Sequence, residues 1–172
     1  MVFSLVSSAS CVGFSGSRSP SPASLAALAS VAGAVSPGAV VVVGCAVGVD
    51  LSARGLFPSA VVLAVASGAF GVGRSAFARR SVACVSRVAS AGGVWVSFPS
   101  SPCPPGLVPS SSSSRCFSGS GSGSWASLAF AVGCGVPCLV FLPAGVAAPS
   151  WLAPSGGGWF SSAPAPVQLS LF

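Results

Sequence analysis

One carboxylate, seven guanidinium groups and seven thiols are the ionisable side chains of this 172-residue chain. The carboxylate is Asp50. The guanidinium groups are Arg18, Arg54, Arg74, Arg79, Arg80, Arg87 and Arg115. Without His, Lys, Tyr or Glu, Ser-His-Asp and Cys-His devices are excluded. General acid–base work could rest only on Asp50 or a perturbed thiol. The cysteines form no C-x-x-C pair, so no zinc site or disulfide framework is expected, and no metal or cofactor. Cys11, Cys45, Cys84 and Cys134 lie in apolar segments and read as small core residues, which fits a reducing cytoplasm.

What these residue types can do is hold phosphate. Three segments have the means. Gly16-Ser17-Arg18 offers a hydroxyl beside a guanidinium. Gly44-Cys45-Ala46-Val47-Gly48-Val49-Asp50 has glycines that permit close backbone approach. Asp50 reads as a helix N-cap or as a ligand contact. Ser118-Gly119-Ser120-Gly121-Ser122-Gly123-Ser124 precedes a helix, where free N–H groups suit an anion. The same run also reads as a serine-glycine linker. The net charge of +6 suits a phosphate-bearing partner only where an Arg falls on such a segment.

The elements that must position these segments alternate. Strands are expected at Cys11–Phe14, Ala39–Gly44, Ala60–Ala66, Val94–Phe98 and Pro137–Leu142. Helices are expected at Ser21–Val35, from Asp50 to about Leu56, at Ser75–Ala91 and at Ser124–Cys134. The uninterrupted apolar run Ala39–Gly44 fits a strand buried on both faces. This β-α alternation predicts an α/β fold, a single Rossmann-like domain over 1–143. Its mostly parallel sheet should carry helices on both faces, with ligands beyond the C-terminal strand ends. Residues 144–172 read as a Pro/Gly/Ser-rich tail, with Trp151, Trp159 and Phe160 as packing anchors. Phe70, Phe77, Trp95, Phe98 and Phe117 are available as stacking platforms for bases.

In order along the chain, these segments resemble the SLOG superfamily. That group contains DNA-processing protein A, the LOG-type nucleotide phosphoribohydrolases and YspA-like proteins. The resemblance covers roughly Cys11 to Leu142. It rests on the first-strand Gly16-Ser17-Arg18, on G-x-A-x-G-x-D at Gly44, Ala46, Gly48 and Asp50, on the Arg-bearing helix segment Phe77-Ala78-Arg79-Arg80-Ser81, and on Gly121, Ser122, Gly123 and Ser124. It implies a nucleotide or single-stranded DNA held across the strand ends. Arg18 and Arg80 would pair with phosphate, and the glycine turns would supply N–H donors. Asp50 would cap the second helix, hold the turn or accept from a sugar hydroxyl. LOG-type hydrolases need a Glu after the last glycine loop, and Ser127 stands at that place. Binding is therefore favoured over catalysis. The alternatives are a LOG-like N-glycosidic hydrolase and a signalling-nucleotide sensor.

Composition adds a second signal. Every absent residue type has adenine at the first or second codon position, which points to an adenine-depleted gene. Only Met1, Asp50 and Gln168 require adenine there. Gln168 opens Gln168-Leu169-Ser170-Leu171-Phe172, which resembles the pentapeptide that docks bacterial replication and repair proteins on the DNA polymerase sliding clamp. Leu171 and Phe172 would fill an apolar pocket and Gln168 would bond at its rim. The mean hydropathy of +0.90 follows partly from the depleted residue set. The apolar stretch Leu128–Pro149 is long enough to span a bilayer, but Gly133, Gly135, Pro137, Pro143 and Gly145 interrupt it. The expectation is a cytoplasmic protein without a membrane partner. Oligomeric state is left open, a homo-oligomer included.

Overall fold

A computed structural model describes residues 2–119 and 121–162. The clamp-like residues 168–172 lie outside them. The elements in chain order are α1 (Ser4–Ser7), β1 (Cys11–Gly16), α2 (Pro22–Ala32), β2 (Val40–Gly44), α3 (Val49–Leu56), β3 (Val61–Leu63), α4 (Arg74–Ser90), β4 (Val94–Phe98), α5 (Ser113–Cys116), α6 (Gly123–Gly133), β5 (Cys138–Phe141), β6 (Leu152–Gly156) and β7 (Trp159–Ser162). A seven-stranded sheet runs β3-β2-β1-β4-β5-β7-β6. The first five strands in that order are parallel; β7 pairs antiparallel with β5, and β6 with β7. This is the expected single Rossmann-like α/β domain.

The period of two along each strand splits the core. On one face Val12, Phe14, Val41, Val43, Val94, Val96 and Phe98 pack under α1, α2 and α3. On the other, Cys11, Val42, Trp95, Cys138 and Val140 meet α4 and α6. Chain order reverses between β1 and β4, whose ends therefore open a crevice. Local signals set the helix starts. Ser21 caps α2 by accepting from the Ser24 N–H at 3.1 Å, with Pro22 in the first position.

Four expectations change. The strand expected over 60–66 stops at Leu63. There the Val65 N–H turns to the Cys45 sulfur at 3.3 Å and the chain enters a 3-10 turn, Val65–Ser67. Residues 152–162, read as part of the tail, form a hairpin that extends the sheet. Trp159 anchors it, with ring centroids 5.2 Å from Phe3, 5.8 Å from Phe98 and 5.3 Å from Phe141. Pro154 is tolerated because β6 is an edge strand with a register shift beside it. The long loop before α6 is tied down: Trp125 Nε1 donates to the Ser101 carbonyl at 2.7 Å and Trp151 Nε1 to that of Leu107 at 3.3 Å. Finally, Cys134 is exposed and Cys45 half-buried, not core; Cys134 follows the last turn of α6. Among the described residues no helix is long and apolar enough to cross a membrane. Leu128–Pro149 is divided among α6, β5 and the turns beside them.

Candidate functional site

The three segments singled out from sequence meet over the ends of β1 and β4. They enclose a cavity of about 450 Å³. Gly16, Ser17 and Arg18 come from the turn after β1. Gly44, Ala46 and Asp50 come from the turn after β2, and Arg80 from α4. Gly121, Ser122, Gly123 and Ser124 come from the start of α6. Gly48 is the one phosphate-site candidate that does not line the cavity. It lies beneath the β1 turn at φ 78°, where a Cβ would strike the Ser17 carbonyl. The Val49 N–H donates to that same carbonyl at 3.0 Å. The start of α3 is thus closed by backbone, which leaves the start of α6 as the anion donor. No side chain caps α6, and its first N–H groups face the cavity mouth with the positive end of the helix dipole.

Asp50 takes one of the roles open to it: it holds the turn. It is buried, and its Oδ2 accepts from the Ala46 N–H at 3.1 Å and from Arg80 Nη1 at 3.2 Å. It does not cap α3, whose N-cap is Gly48. Burial pushes its carboxyl above the usual range, against the opposing pull of Arg80, the Ala46 N–H and Arg54. Sequence reasoning missed Arg54, one turn further along α3. Its Nη1 donates to the carbonyls of Gly44 at 2.8 Å and Ala46 at 3.1 Å. The i, i+4 spacing of Asp50 and Arg54 on a helix is the signal that could have found it. Gly44 has to be glycine, because a Cβ there would overlap both the Arg80 guanidinium and the Asp50 carboxylate.

The two arginines differ in kind. Arg80 is 7% exposed, bound to Asp50 and to the Cys45 sulfur, and its Nε has no partner among the described residues. Arg18 is exposed and lies over the Phe77 ring, 5.3 Å from its centroid. Phe77 and Phe117 line the cavity. Trp95 lines it from the floor, donating from Nε1 to Ser15 Oγ at 3.1 Å. Phe98, read as a stacking platform, is fully buried in the opposite core. Ser127 donates to the Gly123 carbonyl at 2.7 Å, so the place of the LOG-type Glu holds a spent hydroxyl. The Cys84 thiol, also on the wall, is pushed up to about 12 by burial and is no nucleophile at neutral pH. Among the described residues no cluster of Cys and Asp could hold a metal ion.

The chemistry on the cavity wall is therefore one of recognition: guanidinium groups, a helix start and aromatic faces, with its single carboxylate engaged. Comparison with protein-family models, curated proteins and solved structures finds no match to this chain.

Proposed function

We propose that this protein is a SLOG-like binder of a nucleotide or of single-stranded nucleic acid, brought to the DNA polymerase sliding clamp by Gln168–Phe172, and acting in DNA processing, replication or repair. One observation carries the binding half. Two arginines, two glycine turns and the uncapped start of α6 converge on one cavity at the sheet's switch point. Phosphate would sit between Arg18 and the first turn of α6, with Arg80 behind it. A base would lie against Phe77 or Phe117. Catalysis has little support, because Asp50 is bound in the turn and Ser127 replaces the Glu a LOG-type hydrolase requires. The clamp half is supported by the sequence alone, through the only Gln of the chain at the first motif position.

Arg18→Ala tests the site without disturbing the fold, since Arg18 is exposed and touches only the rim. Fluorescence anisotropy with labelled nucleotides and single-stranded oligonucleotides should show affinity at least tenfold weaker. Equal affinity in the variant would remove this cavity as the binding site. For the tail, Gln168→Ala with loss of Leu171 and Phe172 should abolish capture on an immobilised sliding clamp. Failure of the intact chain to bind the clamp would reduce the motif to coincidence.

A further inference from the structure

The cavity over β1 and β4 does not stand alone. A second, of about 430 Å³, opens on the other side of the glycine loop that starts α6. Phe117, Gly121, Ser122 and Gly123 line both, so the two meet along that loop and the Phe117 ring. Each is the size of one small-molecule site.

The second cavity has its own positive charge. Arg74 and Arg115 border it and do not border the first. Both are exposed, and neither belongs to an ion pair among the described residues. The chain's single carboxylate side chain is already bound to Arg80. Two helices start at the same wall: α4 at Arg74 and α6 at Gly123, neither with a side-chain cap. Their dipoles and free N–H groups add to the guanidinium field. At the back of the adjoining cavity, the buried Arg80 keeps an unpartnered Nε. Positive groups therefore line two adjacent cavities joined by an aromatic ring.

We infer that this cleft takes two consecutive nucleotides of a single strand, with one phosphate at Arg18 and the start of α6 and the next between Arg74 and Arg115. The inference rests on the reading of the first cavity as a nucleotide-phosphate site. It adds a second phosphate subsite and makes the ligand a phosphodiester chain, not a free mononucleotide. Phe117, between the subsites, is placed to separate the two bases.

The test compares Arg74→Ala/Arg115→Ala with the unaltered protein. Three probes are used: a nucleoside 5′-monophosphate, a deoxythymidine decamer and a uridine decamer, each over a series of salt concentrations. The two decamers distinguish DNA from RNA as the source of the phosphodiester. The double variant should bind the preferred decamer about tenfold or more weakly. The slope of log affinity against log salt should shrink by roughly 1.4, for two lost phosphate contacts on a single strand. Monophosphate binding should stay within about twofold. Both side chains are exposed, and an unchanged melting temperature confirms that the variant folds. Decamer affinity and salt slope equal to the unaltered protein's would overturn the second subsite while leaving the first. So would a monophosphate bound as tightly as either decamer. Binding of none of the three probes would overturn the first reading, and this one with it.

Discussion

Replacing Asp50 by Ala separates an architectural carboxylate from a catalytic one. In the folded protein Asp50 Oδ2 holds the Ala46 N–H and the Arg80 guanidinium, and both partners of the ion pair are 8% exposed. Asp50→Ala removes the only carboxylate within reach of Arg80. It leaves a buried cation whose Nε already has no partner among the described residues. Breaking one side of a buried pair costs about 3–5 kcal/mol. For a domain of this size each kcal/mol moves Tm by about 2–4 °C, so a loss of roughly 6–20 °C follows. Asp50→Leu combined with Arg80→Met removes both charges and orphans only the Ala46 N–H. Its loss should therefore be smaller, about 1–3 kcal/mol. Urea and thermal unfolding followed by circular dichroism measure both variants. A single variant within about 1 kcal/mol of the parent, or a double variant no more stable than the single, would refute the reasoning.

Three further outcomes follow from the same structure. Trp159→Ala should lose about 3–5 kcal/mol, because the ring closes the core against Phe3, Phe98 and Phe141; a loss below about 1 kcal/mol in urea unfolding would mean the hairpin is dispensable. Burial raises the folded-state affinity of Asp50 for its proton, so its contribution to stability is greatest below the usual carboxylate range and declines as pH rises through that range to the shifted value. With no second side-chain carboxylate and no His, Tm should hold or rise between about pH 7 and about pH 4, and a fall on acidification would contradict the sign. In native alkylation followed by mass spectrometry, exposed Cys134 should label first, while Cys84 and Cys138, both buried with thiols pushed upward, stay unmodified until unfolding; early labelling of either would show that the core opens locally.

Much of the parallel core could be read from the chain. Central strands buried on both faces must be apolar throughout, and Val40–Gly44 and Val94–Phe98 announce themselves that way. The glycine turns were legible for a related reason: Gly44 and Gly48 stand where a Cβ has no room. The hairpin was not. Its short strands carry Pro154, Ser155, Ser161 and Ser162, and it exists only because Leu139, Val140 and Phe141 offer it an edge. Pairing of that kind leaves little trace in local sequence. Helices suffered from the missing charges: α6 is buried along most of its length and shows no polar face that could reveal its orientation. The cavity's residues were named from sequence, but the role of Asp50 was not, because spacing alone cannot tell a carboxylate facing a ligand from one turned inward to Ala46 and Arg80.

The most direct measurement of the central claim is a titration of the isotopically labelled protein with a single-stranded oligonucleotide, followed by amide NMR. The account predicts that the largest shifts fall at Ser17, Arg18 and the first turn of α6, Gly123 to Trp125, and that Arg18→Ala suppresses them. Shifts confined to other surfaces, or no shift at millimolar oligonucleotide, would contradict it.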